Sequence, residues 1–494
     1  MPGPDNDLDN SNKTAPIIVL DDTLEIDAGF TESIIFPGVA NGPAYFLWNN
    51  NLDMLNVAEM LNGGGVFFDS VISVFSDGGN FVSETASWLQ PDGANHSLVP
   101  QSSAPYGIGQ LNLVPNTSAE TFDGLLAQYR FAPDGNEVEF AKFSPYIQST
   151  SGTKYVSYNT FQPSMRADQF GNEVTNWVEV ANPDSTPKNF TANLYDTTGN
   201  LVSSQMFTVP AMGRFDVQGG HLTPGAANQG LVEVIPADPN APFITQVSRY
   251  GGNSPAGLAP SSFSFATTSV GNNGYTGEIV APVSSGGGAQ NWVVVTNTDA
   301  NPTSVLIEFL DYSGNVVQAS TANIAGMAQA TINADSLYPG GASGLVRITP
   351  QGNEAIIADS MFYFFKPDGS VSSAYLTHAE PNYAVPKYGA FNTFLGQQNW
   401  LKLYNDSTTT QTVTVSINQL GIANPATPLG SATVTLAPGQ GIDAELVSTL
   451  GLNIPADTYG TVEVTSSGIG LFAQILRLRT LNGYIDLAEG IPVR

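Results

Sequence analysis

Carboxylates are the most abundant reactive groups in this chain: 43 Asp and Glu stand against 15 Lys and Arg, three His and no Cys. Asp5, Asp7 and Asp9 form the D-x-D-x-D opening of a calcium loop, in which alternate side chains turn toward one hard cation. A complete EF-hand loop carries Gly at its sixth place and Glu at its twelfth, whereas this chain has Asn10 and Pro16. The run is therefore a fragment. Asp21 and Asp22, with Glu25 and Asp27, form a second cluster that a solvated strand edge explains equally well. These aspartates are the candidate ligands if Ca2+ is bound, and no cofactor is required.

Other chemistry is poorly supplied. Without cysteine there are no disulfides, thiolate nucleophiles or Cys-based zinc sites. Gly252-Asn253-Ser254-Pro255-Ala256-Gly257 partly matches a nucleophile elbow, but Pro255 lacks the N–H that would complete an oxyanion hole. His96, His221 and His378 fall at unrelated points of the chain and read as loop residues. No two carboxylates single themselves out as a glycosidase pair. Glu59 and Glu179 share a repeat position inside a strand, where an outward, solvated side chain is expected. The expectation is a protein with no catalytic residues, and not an enzyme.

Charge narrows the partners. The formal net charge is −28, which repels nucleic acid and anionic lipid. No apolar run reaches the roughly 18 residues a membrane helix needs. The N-terminus, Met1-Pro2-Gly3-Pro4-Asp5, has neither a basic nor an apolar leader region, so an exported chain would be the mature form. Only 12% of residues are charged, about half the usual share near 25%. The polar surface must come from Ser, Thr, Asn, Gln and Gly, a composition of turns and sheet faces.

An internal repeat supplies the frame that would position any site. Asn176-Trp177-Val178-Glu179-Val180-Ala181-Asn182 recurs as Asn291-Trp292-Val293-Val294-Val295-Thr296-Asn297 and as Asn399-Trp400-Leu401-Lys402-Leu403-Tyr404-Asn405. A degenerate copy runs from Asn56 to Asn62, with Val57 in the tryptophan place. After each copy comes a hairpin signal, clearest at Asp196-Thr197-Thr198-Gly199-Asn200 and Asp311-Tyr312-Ser313-Gly314-Asn315. Strands opening with Gly follow at Gly109, Gly230, Gly344 and Gly460. The closing strand of each unit holds Leu126–Tyr129, Ile244–Val247, Ile357–Ser360 or Phe472–Ile475. Trp177, Trp292 and Trp400 are expected in the repeat core. Leu52–Leu61 and Ala119–Phe131 carry a loosely helical period, but their alignment with strands elsewhere favours strand.

The arithmetic gives about seven strands in roughly 110 residues, four times over. The expected fold is all-β: four tandem Ig-like β-sandwiches with minimal helix, at 16–150, 151–265, 266–385 and 386–494, after a flexible acidic tail at 1–15. Ile17, Ile18, Val19 and Leu20 read as the first strand of the first sandwich, or as an arm that adds to a neighbour's sheet edge. The longest irregular stretch, 132–170 with Arg166 and Asp168, and the loop 251–260 are where a ligand groove would lie.

The Asn-Trp strand, the Asp-x-x-Gly-Asn hairpin and the Gly-opened strand together resemble tandem Ig-like or fibronectin-like modules of bacterial cell-surface and secreted structural proteins. The resemblance implies an extracellular scaffold: a self-assembling surface-layer, sheath or filament subunit whose main partner is itself. An adhesin that binds polysaccharide or a host protein, with or without calcium, is the alternative, and a secreted carbohydrate-active enzyme is the second.

Overall fold

The repeated motifs become repeated strands. The computed structural model describes residue 147, residues 152–159, 174–211, 213–217, 229–252, 263–381, 386–419 and 427–493, and nine strands between 17 and 145. Those nine are β1 (Ile17–Val19), β2 (Gly29–Ala40), β3 (Ala44–Asn49), β4 (Phe68–Ser73), β5 (Thr85–Leu89), β6 (Asn95–Ser97), β7 (Ile108–Val114), β8 (Phe122–Phe131) and β9 (Val138–Pro145). The second unit has β10 (Tyr155–Asn159), β11 (Val174–Ala181), β12 (Lys188–Asp196), β13 (Leu201–Val209), β14 (Arg214–Val217), β15 (Gln229–Pro236), β16 (Ile244–Gly252) and β17 (Phe263–Val270).

The third unit has β18 (Ile279–Ser284), β19 (Gln290–Asn297), β20 (Thr303–Asp311), β21 (Val316–Ile324), β22 (Gln329–Asn333), β23 (Ser343–Pro350), β24 (Ile356–Phe365) and β25 (Val371–His378). The fourth has β26 (Lys387–Asn392), β27 (Gln398–Asn405), β28 (Gln411–Gln419), β29 (Thr427–Leu436), β30 (Gly441–Glu445), β31 (Tyr459–Ser466), β32 (Leu471–Leu481) and β33 (Tyr484–Pro492). Among the described residues only short 3-10 turns accompany these strands, so the protein is all-β.

Units two to four share one plan. Counting strands within a unit, one sheet has the order 1-6-3-4 and the other 5-2-7-8. Each is a sandwich of eight strands, one more than the turn spacing predicts. The strand expected to close each unit is followed by a hairpin partner, β17, β25 or β33. Two of these hairpins had readable turns: Asp368-Gly369, and Asn482-Gly483 with φ of 53° and 86°, the pair that a type I′ turn requires. The expected boundary at 265/266 falls inside β17.

The repeat motifs are structural fasteners. The opening Asn of each motif ties strand 2 to the end of strand 1 in the facing sheet. Asn399 Oδ1 accepts from the Asn392 N–H at 3.0 Å while its Nδ2 donates to the Asn392 carbonyl at 2.8 Å. Asn176 and Asn159 repeat this exchange at 3.2 and 3.1 Å. The closing Asn donates to three carbonyls: Asn297 reaches Asn301, Ile324 and Ala325, and Asn405 reaches Thr409, Leu436 and Ala437. One amide thus satisfies a buried corner where the chain cannot pair with itself. The glycine opening strand 6 is sterically required. A Cβ at Gly344 would overlap the Leu310 carbonyl, and one at Gly460 the Asn418 carbonyl.

The four sandwiches close into a ring. Strand 8 of units two to four and its counterpart in unit one, β9, pack on one another in turn, β9 on β17, β17 on β25 and β25 on β33, and β33 returns to β9. Strand 1 of one unit lies on the outer face of strand 7 of the next: Ser157 of β10 donates to Asp359 of β24. The same relation joins last to first, where β26 touches β8 and β2. The Asp-x-x-Gly-Asn hairpins are the tenons of these joints. The Gln329 N–H donates to the Thr197 carbonyl at 2.9 Å, and the Gly441 N–H to the Tyr312 carbonyl at 2.9 Å. Gly314, at φ +82°, lies against Gly439, and any side chain there would hold the joint apart.

The first unit departs from the plan. Its sheets are β1-β4-β2-β8-β9 and β3-β7-β5-β6. The place beside β8 that the Asn-Trp strand fills elsewhere belongs to β2, which precedes β3 in the chain and runs parallel to β4. The degenerate motif at 56–62 and the helical-period stretch Leu52–Leu61 lie outside the described residues. The Ala119–Phe131 segment is strand over Phe122–Phe131, because pairing on both sides with β2 and β9 overrides its local period. Ile17–Val19 pairs antiparallel with β4 of its own chain, in the first unit. Leu20 lies outside the described residues.

Candidate functional site

Three kinds of place could carry function: buried polar clusters at the joints, the axis of the ring, and its rim. The joints come first, because the tryptophans and His378 lie there. Alternation along strand 2 sends Val293 and Val295 into the sandwich core and Trp292 and Val294 to the opposite face. Trp292 therefore packs with Phe265, Met361 and Tyr363 between units two and three. Trp400 packs with Phe362, Tyr375 and Leu476 between units three and four, and Trp177 is half-buried at the same place of β11. The expectation of a tryptophan in each sandwich core is corrected for Trp292 and Trp400, which belong to the joints between units. The sandwich interiors are filled by Val, Ile and Leu with Phe and Tyr but without Trp.

His378 is also not a loop residue. It ends β25, and His96 lies within β6. His378 Nδ1 sits 2.6 Å from Asp359 Oδ1, and Asp359 also accepts from Ser157. These are the residue types of a hydrolase triad in an unworkable order. A nucleophile needs the imidazole as its base, but here the carboxylate stands between Ser and His. His378 Nε2 is moreover occupied, accepting the Val270 N–H at 2.9 Å. The cluster is a polar clamp between units two and three.

Glu179, expected on a solvated face, is fully buried at the joint of units one and two. It lies 3.0 Å from Arg214 and 3.9 Å from Lys142 of β9, and accepts from Gln246. Burial pushes its carboxyl up, but the two cations and the hydrogen bonds outweigh burial and hold it below the usual range. Its neighbour Asp216 receives a two-pronged contact from Arg214, at 2.7 and 2.9 Å. There burial, reinforced by the Glu179 charge, prevails over Arg214 and raises the carboxyl to about 6. Such a network fixes a joint without offering a substrate any open face.

The axis holds a cavity of about 60 Å³ between the four strands at position 8. Phe143, Thr268, Thr377, Gln474 and Gly490 are among its lining residues. It has room for several waters. Gln474 donates to Thr377 at 2.5 Å, which bonds unit four to unit three across the axis.

The rim differs from both. In units two, three and four, strand 4 is a sheet edge, at the opposite margin of its sheet from strand 1. The first six residues of β13 and of β21 are exposed on both faces. Of the eight large apolar side chains exposed among the described residues, five lie on these two strands: Leu201, Val202, Met206, Val316 and Val317. Neither strand carries a charge, nor does β29. The charge-free stretches run from Thr197 to Gly213, from Tyr312 to Ala334 and from Ser407 to Ile442. The sequence reading missed these strands as a site. The signal was present but not selective, since the uncharged stretches that hold these strands stand among others of similar length, such as 93–119 and 250–277.

Among the described residues no group of three or more His, Asp or Glu could hold a metal ion. Asp5, Asp7, Asp9, Asp21 and Asp22 lie outside the described residues, as do Arg166, Asp168, His221 and most of the 251–260 loop. No helix among the described residues is long and apolar enough to cross a membrane. No family model matches the chain, and no curated protein matches it.

Proposed function

We propose that this protein is a non-enzymatic, extracellular structural subunit that assembles with copies of itself into a surface layer, sheath or filament. The observation that carries this reading is the uncharged edge strands β13 and β21, exposed over their first six residues, with β29, also uncharged but exposed on one face only, at the matching place of unit four. Proteins that stay monomeric protect such edges with Lys, Pro, bulges or covering loops, because open N–H and C=O rows recruit another strand. Neither β13 nor β21 carries Lys or Pro, β29 has a Pro only at its second residue, and the bulge in each pairing lies at the hairpin end, so most of each edge is left open. The resemblance to modules of bacterial cell-surface proteins fits the same reading, as does a polar clamp where a catalytic triad would otherwise be sought.

Negative-stain microscopy with light scattering of the purified protein, with calcium and with chelator, tests this directly. Ordered layers, tubes or filaments are expected. A monodisperse monomer in both conditions would overturn the reading and turn attention to polysaccharide binding. Dependence on calcium would assign a role to the N-terminal aspartates.

A further inference from the structure

The ring constrains how such copies can join. We infer that copies of this chain meet edge to edge through strand 4 of units two, three and four, each joint merging two four-stranded sheets into one, and that the product is a two-dimensional layer. The inference rests on the self-assembly reading and adds to it the surface and the geometry.

Two observations select the occupant as a second copy. A chain of net charge −28 repels its own copies, so two can approach closely only where charge is missing. The stretches 197–213, 312–334 and 407–442 supply that, and each contains one whole rim edge. An edge strand is also complementary to another edge strand through its backbone alone, so β13 and β21 need no matching side-chain code. Their exposed apolar residues, Met206 above all at 84%, add area to be buried in the joint.

The number of edges sets the dimensionality. One such edge per copy gives dimers, two give a linear filament, and three give a branched net. In units two, three and four, strands 1 and 8 lie toward the axis, and strand 4 lies at the opposite margin of its sheet. A closed ring of four units therefore spreads its position-4 strands around the perimeter. Joints made there extend outward from the axis, as a sheet requires.

The test closes the edges one at a time. Met206→Glu, Gln318→Glu and Thr433→Glu each place a carboxylate on an exposed position of β13, β21 or β29, where two copies would bring like charges together. Layers of the unaltered protein should become filaments when one edge is closed, dimers when two are closed, and monomers in the triple variant. Far-UV circular dichroism and the melting curve of the triple variant should match the unaltered monomer. As a measurement that needs no disruption, Met206→Cys in this cysteine-free chain should be alkylated at least tenfold more slowly in the assembled protein than in the monomer. Val447→Cys, exposed but off the edges, should keep its rate. Assembly of the triple variant as layers, or unprotected Cys at 206 within assemblies, would overturn the edge joint while leaving self-assembly intact. Failure of the unaltered protein to assemble at all would overturn the self-assembly reading instead.

Discussion

Strands 4 and 8 are both sheet edges of the same sandwich, yet they end in opposite surroundings. β25 is buried along almost its whole length and β21 is exposed for its first six residues. Their compositions do not announce this. Both are short runs of Val, Ser, Ala and Thr with no strong charge, good strands on any scale of propensity. The inner edge is buried because three other units bring their own strand 8 against it. The outer edge is open because the ring has closed without it. The comparison teaches that edge protection here is quaternary in style within a single chain: the units shield one another's inner edges, and the outer ones are left open.

A charge at the inner edge should be the most damaging change. Ala488 of β33 is 1% exposed and packs among Phe362, Tyr375 and Leu476. Ala488→Glu would bury an unpaired carboxylate and overfill the joint, at a cost of about 3–5 kcal/mol in denaturant unfolding. Unchanged stability would show that the inner edge is not closed as described.

Next in size is the joint's own ion network. Glu179→Leu leaves Lys142 and Arg214 buried with only Asp216 to answer them, and should cost about 3 kcal/mol. Asn405→Ala should cost about 1–3 kcal/mol, since it abandons three carbonyls at a corner of unit four. Calorimetry checks both, and a melting point within a degree of the unaltered protein in either case would contradict the geometry.

The same joint has a pH signature. Asp216 binds its proton more tightly folded than unfolded, so its contribution is full below the usual carboxylate range and is lost as pH rises through about 6. Glu179 has the opposite sign: its contribution is present above the usual value and is lost as pH falls through its lowered one. Between pH 5 and 7.5 the Asp216 effect dominates and should remove on the order of 1 kcal/mol. Asp216→Asn should flatten this part of the melting-temperature profile, and an unaltered slope would show that Asp216 is not the titrating group.

At the other end of the scale, Met206→Glu at the outer edge should change monomer stability by no more than about 0.5 kcal/mol. The ratio between this and the Ala488→Glu effect measures the comparison itself. If the two were similar, inner and outer edges would not differ as the ring requires.

Much of the fold was legible because its signals are local. The Asn pairs flanking strand 2 and the Gly that opens strand 6 answer steric or hydrogen-bonding needs within a unit, and the Asp-x-x-Gly-Asn turn closes on its own Asp carboxylate, so all three recur at fixed places. Strand 8 was missed although Asn482-Gly483 marks one of its turns, because the repeat was aligned on motifs that end at strand 7. The tryptophans were legible as repeated but not as joint residues. Period-2 alternation says that Trp292 and Val293 face opposite ways, and cannot say which of the two faces is covered by another unit.

Composition and pattern alone determined that this chain is a tandem of β-sandwiches, strongly acidic and without cysteine chemistry. Those properties follow from residue counts, alternation and turn types, which act over a few residues. Only the tertiary structure decided that the four units close on themselves, that Glu179 and His378 are buried clamps, and that the inner edges are hidden while the rim is bare. Each of these depends on contacts between residues one or more units apart in the chain, where packing geometry rather than local propensity selects the partner.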